Sequence, residues 1–123
     1  MSTRPAAPPP LALVGCDFRI ASAAWRGALA LSSGERAELA GALAEAAGAR
    51  GLVVLETCNR TEWIVECDEP RWAADLLSSW MQRLWRERGP KNGSAVLPQP
   101  HAWLEADAAR HLCLLYTSDA ADE

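Results

Sequence analysis

Long apolar runs are missing from this 123-residue chain. Its apolar stretches are far shorter than the ~20 residues that a membrane-spanning helix needs. Residues 1–10 are rich in proline and alanine and lack the apolar core of a signal peptide. These absences argue against a membrane or secreted protein, and they predict a disordered leader at residues 1–10 and a cytoplasmic location.

The chain also lacks a C-x-x-C pair. Its four cysteines, Cys16, Cys58, Cys67 and Cys113, are widely spaced, which argues against a zinc site. Without a secretion signal, reduced thiols are expected rather than disulfides.

Positive charge is in short supply. Lys and Arg total 12 against 16 Asp and Glu, which gives a net charge of −4 and a pI near 5.2. Nucleic-acid-binding proteins generally carry a basic patch that neutralises phosphates. The nearest approach is Arg83, Arg86, Arg88 and Lys91, at the end of a predicted helix where cations also stabilise the helix dipole. Composition alone therefore does not predict nucleic-acid binding, and DNA is not an expected partner.

Hydrophobic patterning predicts a single α+β domain. Strands are predicted at residues 11–18, 51–56 and 62–67, helices after Ser32 and Asp68, a weak edge strand near 95–97, and a further helix from Glu105. The unbroken apolar run at 51–56 predicts burial on both faces of that strand. The order of elements is that of a ferredoxin-like β-α-β-β-α-(β) sandwich with a further C-terminal helix.

Each of the two main helices carries its own start and stop signals. Ser32 and Glu35 form a capping box, and Gly48 or Gly51 ends the first helix. The second begins around Pro70 and stops at Gly89-Pro90. The predicted inward residues are Leu39, Leu43 and Ala46 in the first helix, and Ala73, Leu76, Leu77, Trp80 and Leu84 in the second. Tryptophans 72, 80 and 85 are interpreted as core or interface residues.

A polar hexapeptide, Thr-Cys-Asn-Arg-Thr-Glu at residues 57–62, separates two apolar stretches. Its Cys58 lies two residues from Arg60, and a nearby cation increases the reactive thiolate fraction. Arg60 either supplies that cation or binds the carboxylate of an acidic substrate. A lone cysteine is usually a buried, inert side chain, but the polar neighbours of Cys58 favour a catalytic thiol.

This hexapeptide resembles the catalytic-cysteine motif of the glutamyl-tRNA reductase family. Residues 107–112, Asp-Ala-Ala-Arg-His-Leu, are similar to a second family segment, and the first strand ends in glycine as the family's does. The resemblance implies that residues 11–112 are the N-terminal catalytic domain. Residues 113–123 look like a translated sequencing adapter, so they are predicted to be a non-native tail.

The resemblance further implies NADPH-dependent reduction of glutamyl-tRNA to glutamate-1-semialdehyde, the first step of tetrapyrrole biosynthesis by the five-carbon route. Cys58 would form a thioester with glutamate, and His111 would act as acid or base or position the ester. Thr57, Asn59 and Arg60 would bind the substrate. NADPH would be held by a domain beyond residue 112, because no G-x-G-x-x-G turn is present here. The full-length protein is expected to be a homodimer.

Two departures from the family pattern leave an alternative open. The histidine and proline that usually follow the first strand are missing, and Glu56 replaces a serine before the Thr-Cys pair. A carboxylate at position 56 would raise the thiol pKa or compete for Arg60. The alternative is a catalytically inactive, reductase-like binding or regulatory module. His101 matches no motif and is interpreted as structural.

Overall fold

The computed structural model describes residues 10–91 and 97–121. In chain order the elements are β1 (Leu11–Asp17), α1 (Ala23–Gly27), α2 (Ser33–Ala47), β2 (Gly51–Glu56), β3 (Arg60–Glu66), α3 (Pro70–Arg88), β4 (His101–Leu104) and α4 (Glu105–Ala121). The strands form an antiparallel sheet in the order β2-β3-β1-β4. The predicted α+β, ferredoxin-like fold is confirmed, with the short helix α1 as an addition that the sequence did not predict.

The two faces of the sheet are covered differently. Alternate side chains of a strand point to opposite faces, so Ala12, Val14 and Cys16 of β1 join the main core with residues of α2 and α3. Leu13, although fully buried, lies on the other face with Gly15, where α4 packs against β1 and β4. The polar pocket described below lies on this second face.

Helix α2 begins and ends at the predicted signals. The side chains of Ser32 and Glu35 form the reciprocal capping box, and Gly48 ends the helix in the left-handed conformation with φ 66°. Leu39 and Leu43 are buried as predicted. The prediction for the third inward position was wrong by one residue: Ala47 is buried and Ala46 is exposed.

Helix α3 supplies much of the core. Pro70 lies in its first turn, and the predicted stripe is buried at Ala73, Leu77, Trp80 and Leu84, with Leu76 partly exposed. Of the three tryptophans, Trp80 and Trp85 lie in the core, and Trp85 Nε1 donates a 2.8 Å hydrogen bond to the carbonyl oxygen of Trp25. Trp72 is 62% exposed and does not lie in the core.

Two strand predictions need correction. Strand β2 lies at an edge of the sheet and pairs with β3, so it is not buried on both faces, and Val53 is 58% exposed. The predicted edge strand near 95–97 falls largely outside the described residues, and Leu97 is not in a strand. The fourth strand instead forms at His101–Leu104, antiparallel to β1.

Helix α4 begins at Glu105 as predicted and continues beyond the boundary predicted after Leu112. That boundary, and the leader at residues 1–10 (of which 1–9 lie outside the described residues), stay predictions. No helix within residues 10–91 and 97–121 has both the length and the apolar character of a bilayer-crossing segment.

Candidate active site

Cys58 lies at the tip of the β2–β3 hairpin, with its side chain exposed. The amide of Thr57 donates to the carbonyl oxygen of Arg60 at 2.9 Å and closes the turn. The Thr57 hydroxyl accepts hydrogen bonds from the amides of Asn59 and Arg60, both at 3.2 Å. A short polar side chain that accepts from the backbone two and three residues ahead stabilises such a turn. Thr57 therefore fixes the main chain around the cysteine.

Arg26 holds the same turn from α1. Its Nη2 donates to the carbonyl oxygen of Cys58 at 2.8 Å, and its Nη1 donates to the carbonyl oxygen of Ala21 at 2.7 Å. The amide of Phe18 donates to the carbonyl oxygen of Asn59 at 2.8 Å. The turn is thus attached to the segment that follows β1. Around Cys58 lies an open pocket of about 380 Å³, lined by α1 residues and by Glu56, Thr57 and Thr61.

The other cysteines have different surroundings. Cys16 is buried in the core, and this burial raises the pKa of its thiol to about 11. Burial also raises the pKa of the Cys67 thiol. Cys113 is exposed on α4. Because the thiolate is the nucleophile, Cys16 and Cys67 are poorly placed for chemistry, and Cys58 is the exposed thiol that the sheet presents.

His111 lies on the second face of the sheet, above Glu62. Its Nε2 is 3.1 Å from Oε2 and 3.3 Å from Oε1 of Glu62, whose carboxylate is almost fully buried. The imidazole stacks on the indole of Trp103, with the ring centroids 3.8 Å apart and the planes 11° from parallel. Two contacts therefore hold the ring: its plane stacks on the Trp103 indole, and its Nε2 faces the Glu62 carboxylate.

These groups line a pocket of about 260 Å³ between the sheet and α4. Its polar residues are Asp17, Arg19, Arg60, Glu62, His101 and His111. Burial lowers the pKa of His111, and the nearby Arg60 guanidinium and His101 lower it further, while Asp17 opposes them. The His111 ring is therefore favoured in its neutral form, which can accept a proton.

A glycine makes this arrangement possible. Gly15 of β1 pairs with Glu62 of β3 and with His101 of β4. A Cβ atom at position 15 would lie 2.5 Å from the carbonyl oxygen of Thr61 and 2.8 Å from Cγ of Glu62. The Glu62 side chain therefore occupies the space that any larger residue at position 15 would fill.

The structure divides the predicted site residues into two groups. Thr57, Cys58 and Asn59 form the exposed turn, while Arg60 and His111 line the pocket against α4. The pocket and the turn lie at the same end of the sheet, because Asp17 at the end of β1 pairs with Arg60 at the start of β3. Cys58 and His111 line separate pockets.

Sequence reasoning missed several residues of the site. Glu62 stood in the hexapeptide without a role, although its position two residues after Arg60 on a strand places both on one face. His101, interpreted as structural, lines the pocket and contacts Trp103 with the ring centroids 5.2 Å apart. The positions of Trp103 and His101 had no sequence signal, because β4 itself was not predicted.

The described residues do not fit a dinucleotide. The connection from β1 to α1 and the connection from β3 to α3 contain no glycine, whereas a dinucleotide-binding turn requires glycines between strand and helix. Among the same residues, no three His, Cys, Asp or Glu side chains are grouped to hold a metal ion.

Comparisons with known proteins identify the family. The family model described as "Glutamyl-tRNAGlu reductase, N-terminal domain" matches residues 14–118. A solved structure of glutamyl-tRNA reductase from Methanopyrus kandleri is similar, with 21% identity, a TM-score of 0.49, and coverage of 85% of this chain and 21% of that chain. This chain thus spans about a fifth of the length of that relative. No curated protein sequence matches significantly. The family match extends over most of the chain, which therefore belongs to the glutamyl-tRNA reductase N-terminal domain family.

Proposed function

We propose that this chain performs the acyl-transfer step of a glutamyl-tRNA reductase and thereby serves tetrapyrrole biosynthesis. The observation that carries the proposal is the exposed Cys58, presented by a turn whose backbone is held by both Arg26 and Thr57. Because the main chain of the turn is already ordered, attack on a bound ester costs little further main-chain conformational entropy.

In the proposed step, the Cys58 thiolate attacks the carbonyl carbon of the glutamyl ester. The C–S bond forms, the ester C–O bond breaks, and the ribose hydroxyl of the tRNA leaves after it takes up a proton. The product is a glutamyl thioester on Cys58. Because Cys58 and His111 line separate pockets, the neutral imidazole acts through the bound substrate or an intervening water. It takes up the proton of the thiol and returns it to the leaving ribose oxygen, or it orients the ester for attack.

Substrate recognition falls to the pocket on the second face. Arg60 and Arg19 line it with planar guanidinium groups, a shape that suits the carboxylate of glutamate, although Arg19 already donates through Nε and Nη2 to the carboxylate of Asp17. Asn59 is exposed beside Cys58 and contacts the part of the substrate nearest the sulfur. Thr57 contributes to binding through the shape of the turn, since its hydroxyl already accepts hydrogen bonds from the amides of Asn59 and Arg60.

We assign the reduction of the thioester to a part of the reductase other than the residues described above. The residues present do not fit a dinucleotide, and the chain spans only 21% of its solved relative. We therefore assign NADPH binding, hydride supply and homodimerisation to the remainder of a full-length reductase, and no step that involves NADPH to the residues described above.

Intact-mass spectrometry of the chain after incubation with glutamyl-tRNA tests the proposal. A mass increase equal to a glutamyl group, removable by hydroxylamine, is expected for the wild type and for Cys113→Ala. Cys113 is the matched control because it is the other exposed thiol. The adduct should be absent in Cys58→Ala.

An adduct that persists in Cys58→Ala, or no adduct on the wild type, would reject the acyl-transfer proposal. If the wild type also bound glutamyl-tRNA without forming an adduct, the binding or regulatory module would become the better interpretation.

A further inference from the structure

We propose that Glu62 is a positioning residue for His111: its buried carboxylate selects the imidazole tautomer protonated on Nε2 and leaves Nδ1 as the proton acceptor. The inference rests on the proposed acyl transfer, because it assigns a role in that reaction. The new element is that a residue of β3 sets the orientation of a histidine on α4.

The geometry carries the inference. Both carboxylate oxygens of Glu62 lie within 3.3 Å of the same ring nitrogen, Nε2 of His111. An ionised carboxylate only accepts hydrogen bonds, so the nitrogen facing it must carry the proton. A neutral ring with Nε2 protonated has its lone pair on Nδ1.

Burial of Glu62 raises the free-energy cost of the other His111 tautomer, in which Nε2 carries no proton. Glu62 is 3% exposed, and Gly15 leaves the space in which its side chain lies. Loss of a hydrogen bond to a buried charged group costs more than loss of a neutral one. Trp103 adds a second restraint, since its stacked indole opposes rotation of the ring out of plane.

The surrounding charges act together with Glu62 on the same ring. They come from three strands and one connection, namely Asp17 on β1, Arg19 after it, Arg60 on β3 and His101 on β4. The Arg60 guanidinium disfavours an imidazolium at His111. This combination gives a neutral histidine with a defined tautomer, which is the state a general base requires before reaction.

Nitrogen-15 NMR of the histidine-labelled chain tests the assignment. Signals of the two histidines are distinguished with His111→Gln, and the wild-type ring of His111 should be protonated on Nε2. In Glu62→Gln, which has the same shape but an amide that can donate or accept, both tautomers should appear. The pKa of His111 should fall in this variant, because a nearby negative charge is removed.

The single-turnover rate of Cys58 acylation supplies the functional readout. In Glu62→Gln the maximal rate should fall about 10- to 100-fold, less than the ~10²–10⁴-fold that general acid–base catalysis provides as a whole. The concentration of glutamyl-tRNA at half-maximal rate should change little, because Glu62 acts through His111. Glu66→Gln is the control, since Glu66 lies on the same strand but is exposed and pairs with Arg50.

Protonation of wild-type His111 on Nδ1, or an unchanged tautomer and acylation rate in Glu62→Gln, would overturn the inference. The wild-type tautomer can be measured even if a variant folds poorly. Failure of the proposed function looks different: the wild type would then form no thioester at Cys58 while the tautomer assignment still held.

Discussion

Arg26 and Cys58, separated by 32 positions in the chain, are joined by a 2.8 Å hydrogen bond from the guanidinium Nη2 to the cysteine carbonyl oxygen. The same guanidinium donates through Nη1 to the carbonyl oxygen of Ala21. One side chain of α1 thus connects the segment between β1 and α1 to the hairpin tip that carries the exposed thiol. The cysteine turn is a supported element of the fold, rather than a loose loop.

Arg26→Met should loosen this turn while keeping most of the side-chain volume. Charge-assisted hydrogen bonds contribute ~1.5–3 kcal/mol when well buried, and this partly exposed pair should contribute about 1 kcal/mol. Hydrogen exchange at the amides of Asn59 and Arg60 should accelerate more than exchange elsewhere in β3. Arg36→Met on α2, at an exposed arginine, is the control and should leave those amides unchanged.

Gly15→Ala should disrupt the pocket from the strand opposite Glu62. The new Cβ would meet the Thr61 carbonyl oxygen at 2.5 Å, so the β1–β3 pairing must shift. Overpacking of this kind lowers the free energy of unfolding by ~1–3 kcal/mol. Urea denaturation measures the loss, and NMR of His111 should show its ring displaced from Glu62.

A glycine-to-alanine substitution on α2 should have the opposite effect on the free energy of unfolding. Gly41 is exposed within the helix, and a Cβ there meets nothing within 4 Å. Gly41→Ala should therefore raise the free energy of unfolding by ~0.5–1 kcal/mol through helix propensity. Equal effects at positions 15 and 41 would contradict the account of Gly15.

Ser32→Ala should destabilise the chain through the helix cap. The Ser32 hydroxyl accepts from the amide of Glu35 at 3.1 Å, and the Glu35 carboxylate accepts from the amide of Ser32 at 3.0 Å. Loss of such a cap lowers the free energy of unfolding by about 1 kcal/mol. Ser33→Ala, one residue into the helix, should change the urea midpoint much less, and similar midpoints for both variants would argue against the cap.

Stability should fall at alkaline pH because of Cys16. Burial raises its pKa to about 11 in the folded chain, well above the ordinary value of a cysteine, so the unfolded chain loses this proton first. The stabilisation is complete below about pH 9 and is lost as pH rises towards 11, by about 3 kcal/mol in all. The free energy of unfolding measured between pH 8 and 11 should decline less steeply in Cys16→Ala. An identical decline in both proteins would show that Cys16 does not carry the effect.

Local sequence signals predicted most elements of the fold, with the exceptions of α1 and β4. The capping box at Ser32, the stop at Gly48 and the proline at the start of α3 all act within a few residues, so they are readable without knowledge of the fold. Strand β2 was predicted correctly in extent and wrongly in burial. Its apolar run resembles a central strand, and its place at the sheet edge depends on which strands pair.

The amino-acid sequence by itself determined the family, the order of elements and the hexapeptide with Cys58 and Arg60, because these depend on neighbouring residues and on short-range patterning. The tertiary structure decided how the hexapeptide is divided: the turn presents Cys58, while strand alternation directs Arg60 and Glu62 towards α4. It also brought His111 to Glu62 across 49 positions. Such contacts follow from strand pairing and helix packing. The partner of each residue there depends on how distant segments bury their apolar surfaces together, so local sequence does not reveal it.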